Sequence, residues 1–280
     1  MRKTKNNILY ILAVIIFLFF TLAPIIWLLS MSLTHDTDLL SKGVDIFPES
    51  LYLENYKDIL NPASKSHHTL FGGIKNSLIS AFFTLLVGLP TSVLAAYAFY
   101  RYNFRSRKMM ITALLFTIVI PVFTTLVPIY AMFARLHLLD NLPAMSIIYV
   151  SSVLPITTRM IMNYLDSMPK ELWEAGELDG CTEQQLFIKL ILPLMRPILI
   201  SSGLIIILNS WSQYQIPLIL TNTQNNKVAT LVLSEFITRD AISHGMIAAC
   251  GVIIILPPAI VAVIFRKLLV NGMVDGAVKA

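Results

Sequence analysis

The chain has 280 residues, 56% hydrophobic and 13% charged, with a mean hydropathy of +0.73. Soluble domains carry about 25% charged residues, so this composition leaves too little polar surface to coat a globule and makes lipid the main solvent. The net charge of +5 does not point to nucleic acid, because the cations stand in short blocks between apolar runs, the pattern of positive-inside anchoring.

In chain order, Arg2, Lys3 and Lys5 precede an apolar run that is too long for a signal-peptide core and lacks a small-x-small cleavage site, so it reads as a retained span. Six runs, 8–33, 76–100, 109–133, 143–164, 197–220 and 245–265, reach the roughly 20 apolar residues that cross a hydrocarbon core. None alternates like an outer-membrane barrel strand. The expected fold is therefore all-α, with six transmembrane helices in a single membrane domain over 1–280, its core at 76–270.

Arg2, Lys3, Lys5, Arg101, Arg105, Arg107, Lys108, Lys170, Lys189, Arg196, Arg266, Lys267 and Lys279 fall inside if the N-terminus is cytoplasmic. Only Lys42, Lys57, Lys65, Lys75, Arg135, Lys227 and Arg239 then fall outside, which places both termini in the cytoplasm. Arg159, late in the fourth span, is expected to snorkel to the inner face. Between the spans lie an outer loop, 34–75, with carboxylates Asp36, Asp38, Asp45, Glu49, Glu54 and Asp58, and an inner loop, 167–196, dense in charge.

The span cores hold no Asp, Glu or Lys, which argues against a proton-coupled carrier, because intramembrane ionisable groups mark such pathways. No G-x-x-x-x-G-K-[ST] occurs, so any ATP that drives transport must be hydrolysed by another polypeptide. Cys181 and Cys250 lack metal or disulfide spacing, and neither a metal nor another cofactor is expected. The fifth span instead carries a neutral polar cluster, Asn209, Ser210, Trp211, Ser212, Gln213, Tyr214 and Gln215. Amide and aromatic groups suit a sugar pathway, with hydrogen bonds to hydroxyls and a ring against the C–H face. Neutral polar side chains also knit membrane helices together, and both readings stay open for any one residue.

Within the inner loop, the segment from Pro169 to Gly180 reads as a short amphipathic helix with Leu172, Trp173, Ala175 and Leu178 as apolar contacts and Glu171, Glu174 and Glu177 as a spaced acidic set. Gly180 suits the left-handed position that ends a helix, and Thr182-Glu-Gln-Gln185 reads as a capping box that opens a second one. Glu174, Ala175, Gly176, Asp179, Gly180, Leu190, Leu192 and Pro193 together resemble the signature of ABC-importer permeases: E-A-A, three residues, G, nine residues, I-x-L-P. Five of its seven positions match with spacing intact; Gly176 stands for Ala and Leu190 for Ile.

The resemblance extends over nearly the whole chain and is nearest to maltose-transporter-type sugar permeases of the second-subunit kind. Tyr52 to Tyr56, Asn76 to Leu78, Ala95-Ala-Tyr-Ala-Phe99 with Arg101, Trp211 to Leu218, Asn271-Gly272 and Gly276-Ala-Val-Lys279 support it. It implies a non-catalytic transport subunit in a bacterial or archaeal cytoplasmic membrane. The implied partners are a homologous second permease subunit, an ATP-binding cassette ATPase dimer, an extracytoplasmic solute-binding protein, membrane lipid and a sugar substrate, with no nucleic acid. The loop's E-A-A helix would seat in the ATPase, and Asn209, Trp211, Ser212, Gln213 and Tyr214 would line the substrate path. An ion-coupled secondary sugar carrier and a membrane scaffold or receptor subunit are the competing classes.

Overall fold

A computed structural model describes residues 2–41, 50–237 and 243–265, with the side chains of residues 2–9 outside the described set. Lys42, Asp45, Glu49, Arg239, Arg266, Lys267, the Asn271-Gly272 pair and the Gly276 to Lys279 stretch lie outside the described residues. Every element among the described residues is a helix. Four of these are long and apolar enough to cross a membrane: α1 (Arg2–Ser32), α4 (Lys65–Arg101), α7 (Leu142–Ser167) and α14 (His244–Ile264). Two bent pairs raise the number to six if each counts as one span.

The first bent pair lies within the third run, while the second, Glu183–Leu194 with Arg196–Trp211 at 74°, lies ahead of the fifth; the third and fifth spans, expected to be uninterrupted from hydropathy, are both broken. The third run splits into α5 (Arg107–Phe116), a short 3₁₀ turn and α6 (Val122–Arg135), with a 97° bend. Pro121 is the cause. Its ring excludes Ile120 from helical geometry, and Ile120 turns extended at ψ 118°. The fifth run splits into α11 (Arg196–Trp211) and α12 (Gln215–Leu220), so residues 212–214 interrupt it. The second span also starts early: α4 begins at Lys65, inside the segment 34–75 expected to be loop. Short helices α2 (Asp36–Ser41) and α3 (Glu54–Leu60) occupy more of that segment.

Packing divides the chain into two units. In the first, 1–72 with 232–257, the Asp36 carboxylate ties down the start of α14: Oδ1 accepts from Gly245 N at 2.7 Å and Oδ2 from Ser243 Oγ at 2.9 Å. A glycine is required at 245, since a Cβ there would stand 2.7 Å from Asn55 Nδ2 and 3.1 Å from Thr34 O. Tyr56 Oη and Ser32 Oγ share a hydrogen bond of 2.7 Å, fastening α3 to the end of α1.

The second unit, 73–231 with 258–280, is built on α4. Ser80, Thr84, Gly88, Ser92 and Ala96 recur every fourth residue and form one ridge of small side chains, all five buried. Small ridges let membrane helices approach closely where lipid removes the hydrophobic drive. A Cβ on Gly88 would touch Val150 of α7 at 3.5 Å and Ile206 of α11 at 3.7 Å. Hydroxyl pairs cross the same seam, Ser92 to Thr157 at 2.6 Å and Thr84 to Ser210 at 3.3 Å.

At one end of this unit Asn76 donates to the carbonyls of Asn225 and Lys227 at 2.7 and 2.9 Å. Beside it Asp140 Oδ1 accepts from Asn222 N, Thr223 N and Thr223 Oγ1. Burial works against the Asp140 carboxylate, but these bonds outweigh it and hold its pKa below the ordinary carboxylate range. The other end, where Arg101, Ser167 and Arg196 lie, carries the loop 167–196.

Candidate functional site

The stop and the cap that the sequence pattern predicts in the loop both form. Helix α8 (Glu171–Leu178) ends at Gly180, whose φ of +75° lies in the left-handed region that glycine enters at no steric cost. Cys181 N bonds Gly176 O at 3.0 Å and Gly180 N bonds Glu177 O at 3.1 Å, the paired closure of a Schellman motif. Thr182 and Gln185 then form the expected capping box: Gln185 N donates to Thr182 Oγ1 at 3.3 Å and Thr182 N to Gln185 Oε1 at 3.0 Å. It opens α9 (Glu183–Gln185), which widens into a π-turn over Leu186–Ile191 before α10 (Leu192–Leu194). Pro193 has no N–H to offer the carbonyl four residues back, which is where an α-helical ladder fails.

Helix α8 has two distinct faces. Trp173 and Gly176 are buried, Trp173 in a cluster with Tyr97 and Phe99 of α4, Ile161 and Leu165 of α7, and Leu186, Ile191, Met195 and Ile198. Leu190 and Leu192 pack against this cluster, half-buried, while Pro193 is exposed. The opposite face carries Glu171, Glu174, Ala175 and Leu178 at spacings i, i+3, i+4 and i+7, all exposed. Leu178 is 88% exposed. This corrects the expected apolar contacts in part, since Ala175 and Leu178 point away from the bundle. Asp179 is exposed at the cap.

Gly176 is where two elements meet most closely. A Cβ there would stand 2.3 Å from Leu186 Cδ1 and 3.5 Å from Leu190 Cδ2. The residue that departs from the E-A-A pattern is therefore the one of the three that faces inward.

Arg101, at the end of α4, fastens the loop. Its Nε donates to Glu183 Oε1 at 3.0 Å and Oε2 at 3.3 Å, and Nη2 donates to Glu183 Oε2 at 3.1 Å. Nη2 also donates to Glu177. Tyr97 Oη donates to Glu183 Oε1 at 2.5 Å. The guanidinium carbon lies 5.6 Å from the centre of the Trp173 ring, and Tyr100 stands 5.4 Å from the same ring. The Arg101 guanidinium holds the Glu183 carboxyl below the usual range, overcoming the upward push of burial, with Tyr97 adding to the downward pull. Glu177 is thus committed to Arg101 and leaves the acidic set read from sequence. Pattern reading missed the Arg101 pairing with Glu183, because a separation of 82 residues gives no local periodicity.

The polar cluster of the fifth run surrounds the break at 212–214. Asn209 Oδ1 accepts from Gln213 Nε2 at 3.1 Å and from Ser152 Oγ of α7 at 3.3 Å, so both are joined. Ser210 turns instead to Thr84. Trp211 is buried, and its indole N–H has no hydrogen-bond partner among the described residues. Ser212 and Tyr214 are exposed, and Ser212 Oγ donates to Asn209 O at 3.0 Å. Thr230 Oγ1 donates to Gln213 O at 2.5 Å, bonding one carbonyl that the broken helix releases.

A family model described as "Binding-protein-dependent transport system inner membrane component" matches residues 70–275. The chain is 30% identical over 258 residues to the sulfoquinovosyl glycerol transport system permease protein SmoH of Agrobacterium fabrum, covering 92% of this chain and 89% of that protein. It is 28% identical over 260 residues to the arabinooligosaccharides transport system permease protein AraQ of Bacillus subtilis, covering 92% and 90%. The fold resembles a chain in the crystal structure of a bacterial ABC transporter that imports the acidic polysaccharide alginate, with a TM-score of 0.77 at 20% identity over 95% of this chain and 97% of that one. At that identity the likeness shows the fold alone.

Proposed function

The chain belongs to the family of binding-protein-dependent transport system inner membrane components, and from that premise we propose that it is the translocating subunit of an ATP-driven carbohydrate importer. In this reading it spans a bacterial or archaeal cytoplasmic membrane six times as one permease domain over 1–280, with both termini and the loop 167–196 in the cytoplasm. It pairs with a homologous second permease, receives an oligosaccharide from an extracytoplasmic binding protein, and hydrolyses no ATP itself. The names of the relatives, one for sulfoquinovosyl glycerol and one for arabinooligosaccharides, support a carbohydrate cargo.

The observation that carries the coupling role is the split character of α8. One face is bound into the chain's own bundle, while Glu171, Glu174, Ala175 and Leu178 form a continuous exposed stripe. A leucine at 88% exposure between two carboxylates is a surface that gains from a partner. We assign the stripe to the ATPase, with Glu174 meeting a basic group and Leu178 an apolar hollow. Asp179 and Gly180 end the helix, and Gly176, Leu190, Leu192 and Pro193 shape its support.

The test is co-purification from membranes. Glu174→Lys and Leu178→Asp should each release the ATPase while membrane insertion is retained. Retention of the ATPase by both variants would refute the assignment. For the pathway, Gln213→Ala with Tyr214→Ala should lower uptake in cells without changing complex assembly, and unchanged uptake would make these residues packing elements only.

A further inference from the structure

Sequence pattern gives Arg101 one task, that of an inside anchor, which a lysine would fill equally well. Its geometry does more. Two of its nitrogens are shared among three carboxylate oxygens, and the two acceptors stand on opposite sides of the Gly180 turn: Glu177 in α8 and Glu183 in α9. The Schellman bonds and the contact of Gly176 with Leu186 hold the turn locally, and Arg101 is the side chain of α4 that bonds both of its arms. Nothing lies within 4 Å of a Cβ placed on Gly180, so no side chain braces it from that side. The Trp173 ring of α8 stands 5.6 Å from the guanidinium carbon and adds an apolar wall to the arrangement.

We propose that Arg101 is the positioning residue that fixes the angle between α8 and α9 and fastens both to α4, so that these three elements move as one body. The inference rests on the loop being the ATPase-facing segment. A planar fork is what the geometry requires, since it reaches two carboxylates in fixed directions. A lysine ammonium is a compact point charge on a flexible stem and serves one at a time.

The experiment uses the assembled transporter in lipid nanodiscs, with spin labels on the native exposed Cys181 and on Leu94→Cys in α4, Cys250 being buried. Distances are measured with and without magnesium and a non-hydrolysable ATP analogue. The wild-type background should give one narrow distribution that nucleotide does not broaden. Arg101→Lys should keep its ATPase and its charge, yet its distribution should at least double in width when nucleotide binds. Glu183→Gln, which preserves shape, should broaden it in the same way, and serves if Arg101→Lys inserts poorly.

Distributions for Arg101→Lys and Glu183→Gln that match wild type would overturn the proposal, because neither the planar fork nor its carboxylate acceptor would then be needed. Loss of the ATPase from Arg101→Lys would overturn it too, since Arg101 lies off the exposed stripe. The underlying reading fails separately, through ATPase retention by Glu174→Lys and Leu178→Asp.

Discussion

Replacing Gly176 by alanine restores the residue the E-A-A pattern prefers, and helix propensity alone predicts a gain of about 1 kcal/mol for α8. The structure predicts the opposite sign. The new Cβ would stand 2.3 Å from Leu186 Cδ1, where ordinary contact begins at 3.4 Å, and Leu186 is only 1% exposed. Either Leu186 leaves its rotamer or α8 lifts from the bundle. Overpacking of this kind costs about 1–3 kcal/mol, which leaves a net loss on the order of 1 kcal/mol after the propensity gain. Hydrogen exchange of the α8 amides in nanodiscs reads this directly, and about 1 kcal/mol corresponds to roughly fivefold faster exchange. A second substitution supplies the internal control. Leu186→Val removes the clashing Cδ1, so in that background Gly176→Ala should be neutral or protective, a coupling of at least about 0.5 kcal/mol between the two sites. Slower α8 exchange in Gly176→Ala alone would refute the steric argument.

Gly180→Ala should fray the end of α8 at a cost of about 1–2 kcal/mol, because of its φ of +75° rather than crowding. Gly180→Asn should cost less, and equal exchange at Cys181 in all three proteins would exclude a left-handed turn. The Glu183 carboxyl is held low in the folded state, so its contribution is complete above the unfolded value of about 4.3 and is lost as pH falls through the lower folded one. Trp173 emission, with Trp27 and Trp211 replaced by Phe, should stay constant from about pH 8 to 5 and change only in stronger acid; a transition near neutrality would implicate a different group. Asn76→Ala strips the donor from the carbonyls of Asn225 and Lys227 and should destabilise the second unit by about 1–3 kcal/mol in thermal unfolding, less if water reaches the carbonyls.

What the sequence made legible was local chemistry. The Gly180 stop and the Thr182 capping box depend on residues within a few positions of each other, and both formed as read. The apolar runs also gave the helices, because length and hydropathy suffice for that. The breaks were harder. Pro121 and Pro128 occupy the same run, yet only Pro121 interrupts it, while Pro128 is absorbed inside α6. Proline in a run does not by itself tell which of the two breaks the helix. The two faces of α8 were misjudged for a similar reason. Its apolar residues lie on both sides, and only the positions of Tyr97, Leu186 and Ile191 decide which side is covered. The pairing of Arg101 with Glu183 depends on the fold bringing distant positions together, and no local pattern announces it.

The small-residue ridge of α4 bears on how the bundle finds its register during assembly. A ridge repeated every fourth residue meets its neighbours almost as well after sliding one helical turn, so shape alone leaves several alignments close in energy. The hydroxyls of Thr84 and Ser92 remove that degeneracy. They sit eight residues apart, about 12 Å along the axis, and find Ser210 and Thr157 on two different helices. A slip of one turn in either direction would bring Gly88, which has no hydroxyl, opposite one of these two partners. They act like two pegs in a board: either one could be missed, but both together admit a single seating.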